Sequence, residues 1–73
     1  MRWTDQKPTK PGHYWCRCVG MLSGKPYETI VRVYSTSPKD RLPDQVFWDG
    51  ENFSLYSKAF IAWGDEPISE LES

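Results

Sequence analysis

The chain lacks any apolar run of membrane-spanning length. Its longest, residues 59–63, has five residues, against the ~20 that a bilayer-crossing helix needs, so no membrane contact is expected. The first residues, Met1-Arg2-Trp3-Thr4-Asp5, contain no apolar h-region, so no signal peptide is expected and a cytoplasmic setting follows as the default. Histidine is almost missing: His13 stands alone, and hydrolytic chemistry wants a nucleophile oriented by a base. Cysteine is scarce too. Cys16 and Cys18 form a Cys-x-Cys pair, tighter than the Cys-x₂₋₄-Cys knuckle of structural zinc, and no second cysteine pair completes a site. In an extended strand His13 points away from both thiols. The five glycines (Gly12, Gly20, Gly24, Gly50, Gly64) are isolated and build no phosphate-cradling loop. No catalytic residue, cofactor or metal is therefore expected, and the chain is read as a non-enzyme.

Aromatic residues are what the sequence has in plenty. Trp3, Trp15, Trp48 and Trp63 stand among 4 Trp, 4 Tyr and 3 Phe in 73 residues. A chain this short buries only about 60% of its unfolded surface, and aromatic side chains of roughly 150–250 Å² each are the efficient way to build its core. Val31, Val33, Trp48 and at least one of Trp15 and Trp63 are the expected core.

Six prolines and five glycines punctuate the chain at intervals that favour short strands over long helices. Residues 13–19 read as a strand with Tyr14, Cys16 and Cys18 on one face; Arg17 makes the opposite face, with Trp15 and Val19, the solvent side. Residues 27–34 are the strongest strand, rich in β-branched residues, with Thr29, Val31 and Val33 on one face and Glu28 and Arg32 on the other. The loop between these two suits an antiparallel hairpin. Further strands are expected at residues 45–48, 53–56 and 60–63, with Asp49-Gly50 as a hairpin turn, since type I′ turns need positive φ. Pro67 could open one helical turn over residues 68–71. The expected fold is a single domain, 1–73, mainly β: a small antiparallel sheet of about five short strands, open or curled into a partial barrel.

Charge is unevenly spread. Residues 1–43 hold eight Lys/Arg against three acids, a balance of +5; residues 44–73 hold Lys58 against seven acids, a balance of −6. Interleaving of the halves would neutralise this, whereas segregation would give a bipolar surface that steers a partner. A net charge of −1 argues against simple nucleic-acid binding, where the domain is usually basic. Basic and aromatic residues do interleave early (Trp3, Lys7, Lys10, Tyr14, Arg17, Tyr27, Arg32, Tyr34), the pattern of small barrels that stack single strands. The acidic tail, Asp65, Glu66, Glu70 and Glu72 with Ile68 and Leu71, suits a solvated terminus, a docking element or a mimic of nucleic acid.

Trp3, Pro11-Gly12, Val31-Arg32-Val33-Tyr34, Phe47-Trp48-Asp49-Gly50-Glu51-Asn52-Phe53 and Ile61-Ala62-Trp63-Gly64-Asp65-Glu66-Pro67 together resemble a family of short uncharacterised proteins encoded by tailed phages and prophages. Members often carry His before the last Trp and several prolines after it; this chain has Ala62 and the single Pro67 there. The resemblance implies a phage or prophage accessory protein of the host-cell cytoplasm, and no chemistry.

The expected function is a protein-binding module acting on a host or phage protein. The alternatives are a single-stranded nucleic-acid-binding β-barrel and an acidic inhibitor mimicking nucleic acid. The expected contact surface is the polar loop with Lys39, Arg41 and Leu42, joined by exposed aromatics of neighbouring strands. Long loops on rigid scaffolds often carry function, and Pro38 and Pro43 lower the entropy lost on docking. Leu42 is either an exposed apolar anchor or folds back to cap the core.

Overall fold

The structure, a computed structural model, describes residues 1–20, 22–36 and 42–68. They form six strands: β1 (Trp3–Thr4), β2 (Gly12–Val19), β3 (Pro26–Tyr34), β4 (Gln45–Trp48), β5 (Glu51–Ser54) and β6 (Phe60–Gly64). All pair antiparallel in one sheet of order β1-β6-β2-β3-β4-β5. Among the described residues there is no helix.

The β2–β3 hairpin is the backbone of the sheet, with eight residue pairs from Gly12↔Val33 to Val19↔Pro26. Alternation follows the sequence pattern. Tyr14, Cys16 and Cys18 are buried, as are Val31 and Val33, while Trp15, Glu28, Ile30 and Arg32 are exposed. Asp49 and Gly50 both adopt positive φ, 53° and 78°, the type I′ geometry that matches strand twist. A two-residue turn lets β5 resume at once, so β5 starts at Glu51, two residues before the position expected from Phe53. Leu55 follows in the next turn, fully buried, with its amide donating to the Asp44 carbonyl at 3.0 Å.

Gly50 also yields a stability prediction. A methyl group there would meet nothing within 4 Å, yet the residue sits at φ +78°. Gly50→Ala should therefore cost only the left-handed backbone strain, about 1–2 kcal/mol, seen as a midpoint lowered by roughly 4–15 °C on thermal melting. An unchanged midpoint would mean that the hairpin uses another turn.

Two features lay beyond the sequence pattern. β1 is a sixth strand of two residues, Trp3 opposite Gly64 and Thr4 opposite Trp63. β6, from the acidic half, inserts between β1 and β2 of the basic half. The halves interleave as strands, but the one ion pair among the described residues, Arg17–Glu28, lies wholly within the basic half. β6 also carries a bulge: Arg17 pairs Ala62 and Cys18 pairs Phe60, which leaves Ile61 out of register.

The sheet curls around its aromatic residues. Trp48 on β4 and Phe60 on β6 stand three sheet positions apart, about 14 Å in a flat sheet, yet their ring centroids are 5.4 Å apart. Phe53 lies 5.3 Å from Trp48, and Trp63 lies 5.4 Å from Phe60. Curling buries one face without a second layer. The sheet stays open, with β1 and β5 as its edges. The core holds Val31, Val33, Trp48 and Trp63 as expected, and Trp15 stays outside, 38% exposed.

Candidate functional site

The loop expected to carry the contact surface is closed at its base. The Asp44 carboxylate accepts from the Thr36 hydroxyl (2.8 Å) and amide (3.0 Å), and these bonds hold the carboxyl below its ordinary value. The Asp44 amide donates to the Tyr34 carbonyl at 3.1 Å. Lys39 and Arg41 lie outside the described residues. Leu42 is described and is 60% exposed; its neighbour Pro43 is the residue buried at that point. The place beside the core is thus filled by Pro43, and Leu42 projects outward.

A broader apolar surface lies on the convex side of the sheet. Trp15 on β2 faces Ile30 on β3, and Phe47 on β4 faces Arg32 on β3, one step along. Met1 reaches the same side, covering Gly64, whose added methyl would lie 2.7 Å from the Met1 sulfur and 3.5 Å from Trp15 Cβ. Met1, Trp15, Ile30 and Phe47 therefore form a strip running across β6, β2, β3 and β4, each member exposed. A solvated face of an antiparallel sheet normally carries polar side chains, and exposed apolar patches on such a face, when large, mark interaction sites.

Ordered charge borders this strip. Arg17 Nη2 donates to Glu28 Oε2 at 2.6 Å, and the Arg17 guanidinium also lies 4.7 Å from the Trp3 ring centre. Trp3 reaches it across β6, where Ala62 and Gly64 are small. On the other border the Arg32 guanidinium lies 5.4 Å from the Tyr34 ring. Such stacking contributes about 0.5–1 kcal/mol at exposed sites and limits the freedom of both arginines.

The concave side offers little to a ligand. Cys16 and Cys18 are fully buried and free. Burial, then the charge and hydrogen bond of Cys18, pushes the Cys16 thiol up to about 12, so it is a poor nucleophile and a poor ligand. Burial also raises Cys18, partly offset by a hydrogen bond from Tyr27. The Tyr27 hydroxyl in turn accepts from Trp48 Nε1 at 3.0 Å. His13 opposes Arg32 on the convex side, away from both thiols. Among the described residues no three His, Cys, Asp or Glu side chains come together as metal ligands. A cleft of about 360 Å³ opens beside Thr4, Lys7, Lys10, Tyr14, Asp65 and Glu66. It mixes both charge signs.

No family model, curated protein or solved structure matches the chain. The physical properties of the convex face are thus what bears on function. The exposure of Trp15 follows from the alternation of β2, and Ile30 shares the parity of Glu28 and Arg32. What sequence reasoning missed is that the register joins these residues to Phe47 in one strip.

Proposed function

We propose that this chain is a protein-binding module, a phage- or prophage-encoded accessory protein that docks on a host or phage protein in the host-cell cytoplasm. It works by contact rather than catalysis, and it needs no cofactor. The observation that carries this reading is the convex strip of Trp15, Ile30 and Phe47, each about two-fifths exposed on the outer face of a rigid hairpin. Aromatic anchors of this kind dominate protein interfaces. Leu42, shortly before β4 in the chain, is exposed as well.

The charge on this face favours protein over nucleic acid. Arg17 is paired with Glu28 through Nε and Nη2 and stacked on Trp3, so its charge is partly compensated before any phosphate approaches. Binding to a nucleic-acid backbone rests on uncompensated Lys and Arg.

The test compares capture of partners from host and phage-infected lysates by the wild-type chain and by a Trp15→Ser/Phe47→Ser variant. Both residues lie outside the core, so the variant should melt within a few degrees of wild type. Its captured set should shrink to background. Retention of every wild-type partner by the folded variant would overturn the reading. A salt-dependent shift on a single-stranded oligonucleotide, lost in the same variant, would replace it with the stacking platform.

A further inference from the structure

The rows of side chains across β2 and β3 are complementary to themselves. Trp15 faces Ile30, and Arg17 faces Glu28. Consider a two-fold axis lying over the convex face, parallel to these strands and midway between them. A second copy placed by this axis sets its β3 over β2 of the first. Trp15 of each copy then covers Ile30 of the other, and Arg17 of each covers Glu28 of the other. An isologous contact demands this property, because one patch must complement itself. The two remaining rows, His13 with Arg32 and Val19 with Pro26, pair no opposite charges and fall at the two ends.

We propose that a second copy of this chain occupies the convex face, stacked sheet on sheet about that axis. This rests on the reading of the face as a docking surface and names its partner. Two sheets pack face to face about 10 Å apart when apolar side chains interdigitate; on this convex face the contact centres on β2 and β3, where Trp15 and Ile30 supply the apolar side chains and the Arg17–Glu28 row supplies orientation. Pairing through the sheet edges is poorly served. β1 offers two residues, and β5 ends in a turn in which the Ser57 amide takes the Ser54 carbonyl at 3.1 Å. Short, interrupted edges of this kind discourage strand addition. The apolar strip is small beside the ~1,200 Å² total of a stable specific interface, so the dimer is reversible and forms as concentration rises.

The test is sedimentation equilibrium over a concentration series with wild type, Arg17→Glu and Glu28→Arg. Wild type should pass from monomer to dimer mass. Each single substitution places like charges across the axis and should weaken association about tenfold or more. Both side chains are partly exposed, and cooperative melts within a few degrees of wild type, allowing for loss of the internal pair, confirm that the variants fold. The deciding sample is the equimolar mixture of the two variants. There the new acid at position 17 meets the new arginine at position 28, native Glu28 meets native Arg17, and dimer mass should return. Each chain's internal pair remains broken in that mixture, so recovery reports contact between copies. A wild type that stays monomeric throughout, or a dimer indifferent to both substitutions, overturns the proposal. If copies do not associate while Trp15→Ser/Phe47→Ser still abolishes lysate capture, the docking reading stands and this one falls.

Discussion

Trp48→Ala should leave the chain largely unfolded at 37 °C. Trp48 is where the curl of the sheet is held. Its ring meets Tyr27, Phe53 and Phe60, with centroids 6.3, 5.3 and 5.4 Å away, and its Nε1 donates to the Tyr27 hydroxyl. Truncating a buried Trp to Ala costs about 3–5 kcal/mol. A domain of 73 residues has a total stability of only about 4–11 kcal/mol, so this one change removes much or all of it. The loss is also structural, because without Trp48 the edge-on Phe53–Phe60 pair, 6.3 Å between centroids, is left as the aromatic link from the β4–β5 hairpin to β6. Trp48→Phe keeps a ring in place and gives up the bond to Tyr27, so it should cost less, about 1–2 kcal/mol. Circular dichroism melts of the two variants beside wild type test this. A Trp48→Ala midpoint equal to that of wild type would mean that the ring does not hold β4 against β6.

Much of this arrangement is legible in the sequence, for local reasons. The strand over Tyr27 to Tyr34 shows itself because β-branched residues repeat every second position. Arg17 fixes which face of β2 meets water, and Asp49-Gly50 fixes the β4–β5 turn. What stayed hidden is non-local. Two residues, Trp3 and Thr4, are too few to alternate, so β1 has no pattern of its own. Nothing near Phe60 announces that β6 will insert between the chain's first strand and β2, because that pairing joins segments more than forty residues apart. The convex strip shares this difficulty. Trp15 and Ile30 can each be assigned to the outer side, but their meeting, and the place of Phe47 beside them, depend on register. Leu42 and Pro43 show a different limit. Either could fill the edge of the core, and the smaller, stiffer Pro43 does so while Leu42 remains exposed. Of the proposed loop residues, Lys39 and Arg41 lie outside the described residues, as does nearly all of the helical turn expected after Pro67; Ile68 is tied to the sheet, its amide donating to the His13 carbonyl at 2.8 Å.

Cys16 should react with iodoacetamide about a thousandfold more slowly in the folded chain than in guanidinium at pH 8. The thiolate is the reacting species. Moving the thiol from its ordinary 9.0 to about 12 lowers the thiolate fraction by roughly three powers of ten at any pH below 9. Full burial adds a second barrier, since reagent reaches the concave face only when the sheet opens. The same shift has a thermodynamic consequence. A thiol raised by folding stays neutral in the folded chain while it ionises in the unfolded one. Its contribution to stability is complete below pH 9.0 and is lost as pH rises from 9.0 toward about 12. Cys18 and Tyr27 are both raised, chiefly by desolvation, and act in the same direction. Wild type should therefore lose thermal midpoint steadily above pH 9, and Cys16→Ala/Cys18→Ala, though modestly less stable at neutral pH, should lose it less steeply. Mass spectrometry of the labelling time course and melts from pH 7 to 11 read the two effects separately. Rapid labelling of the native chain at pH 8 would mean that β2 opens on the reaction timescale and that the concave face is not a closed core.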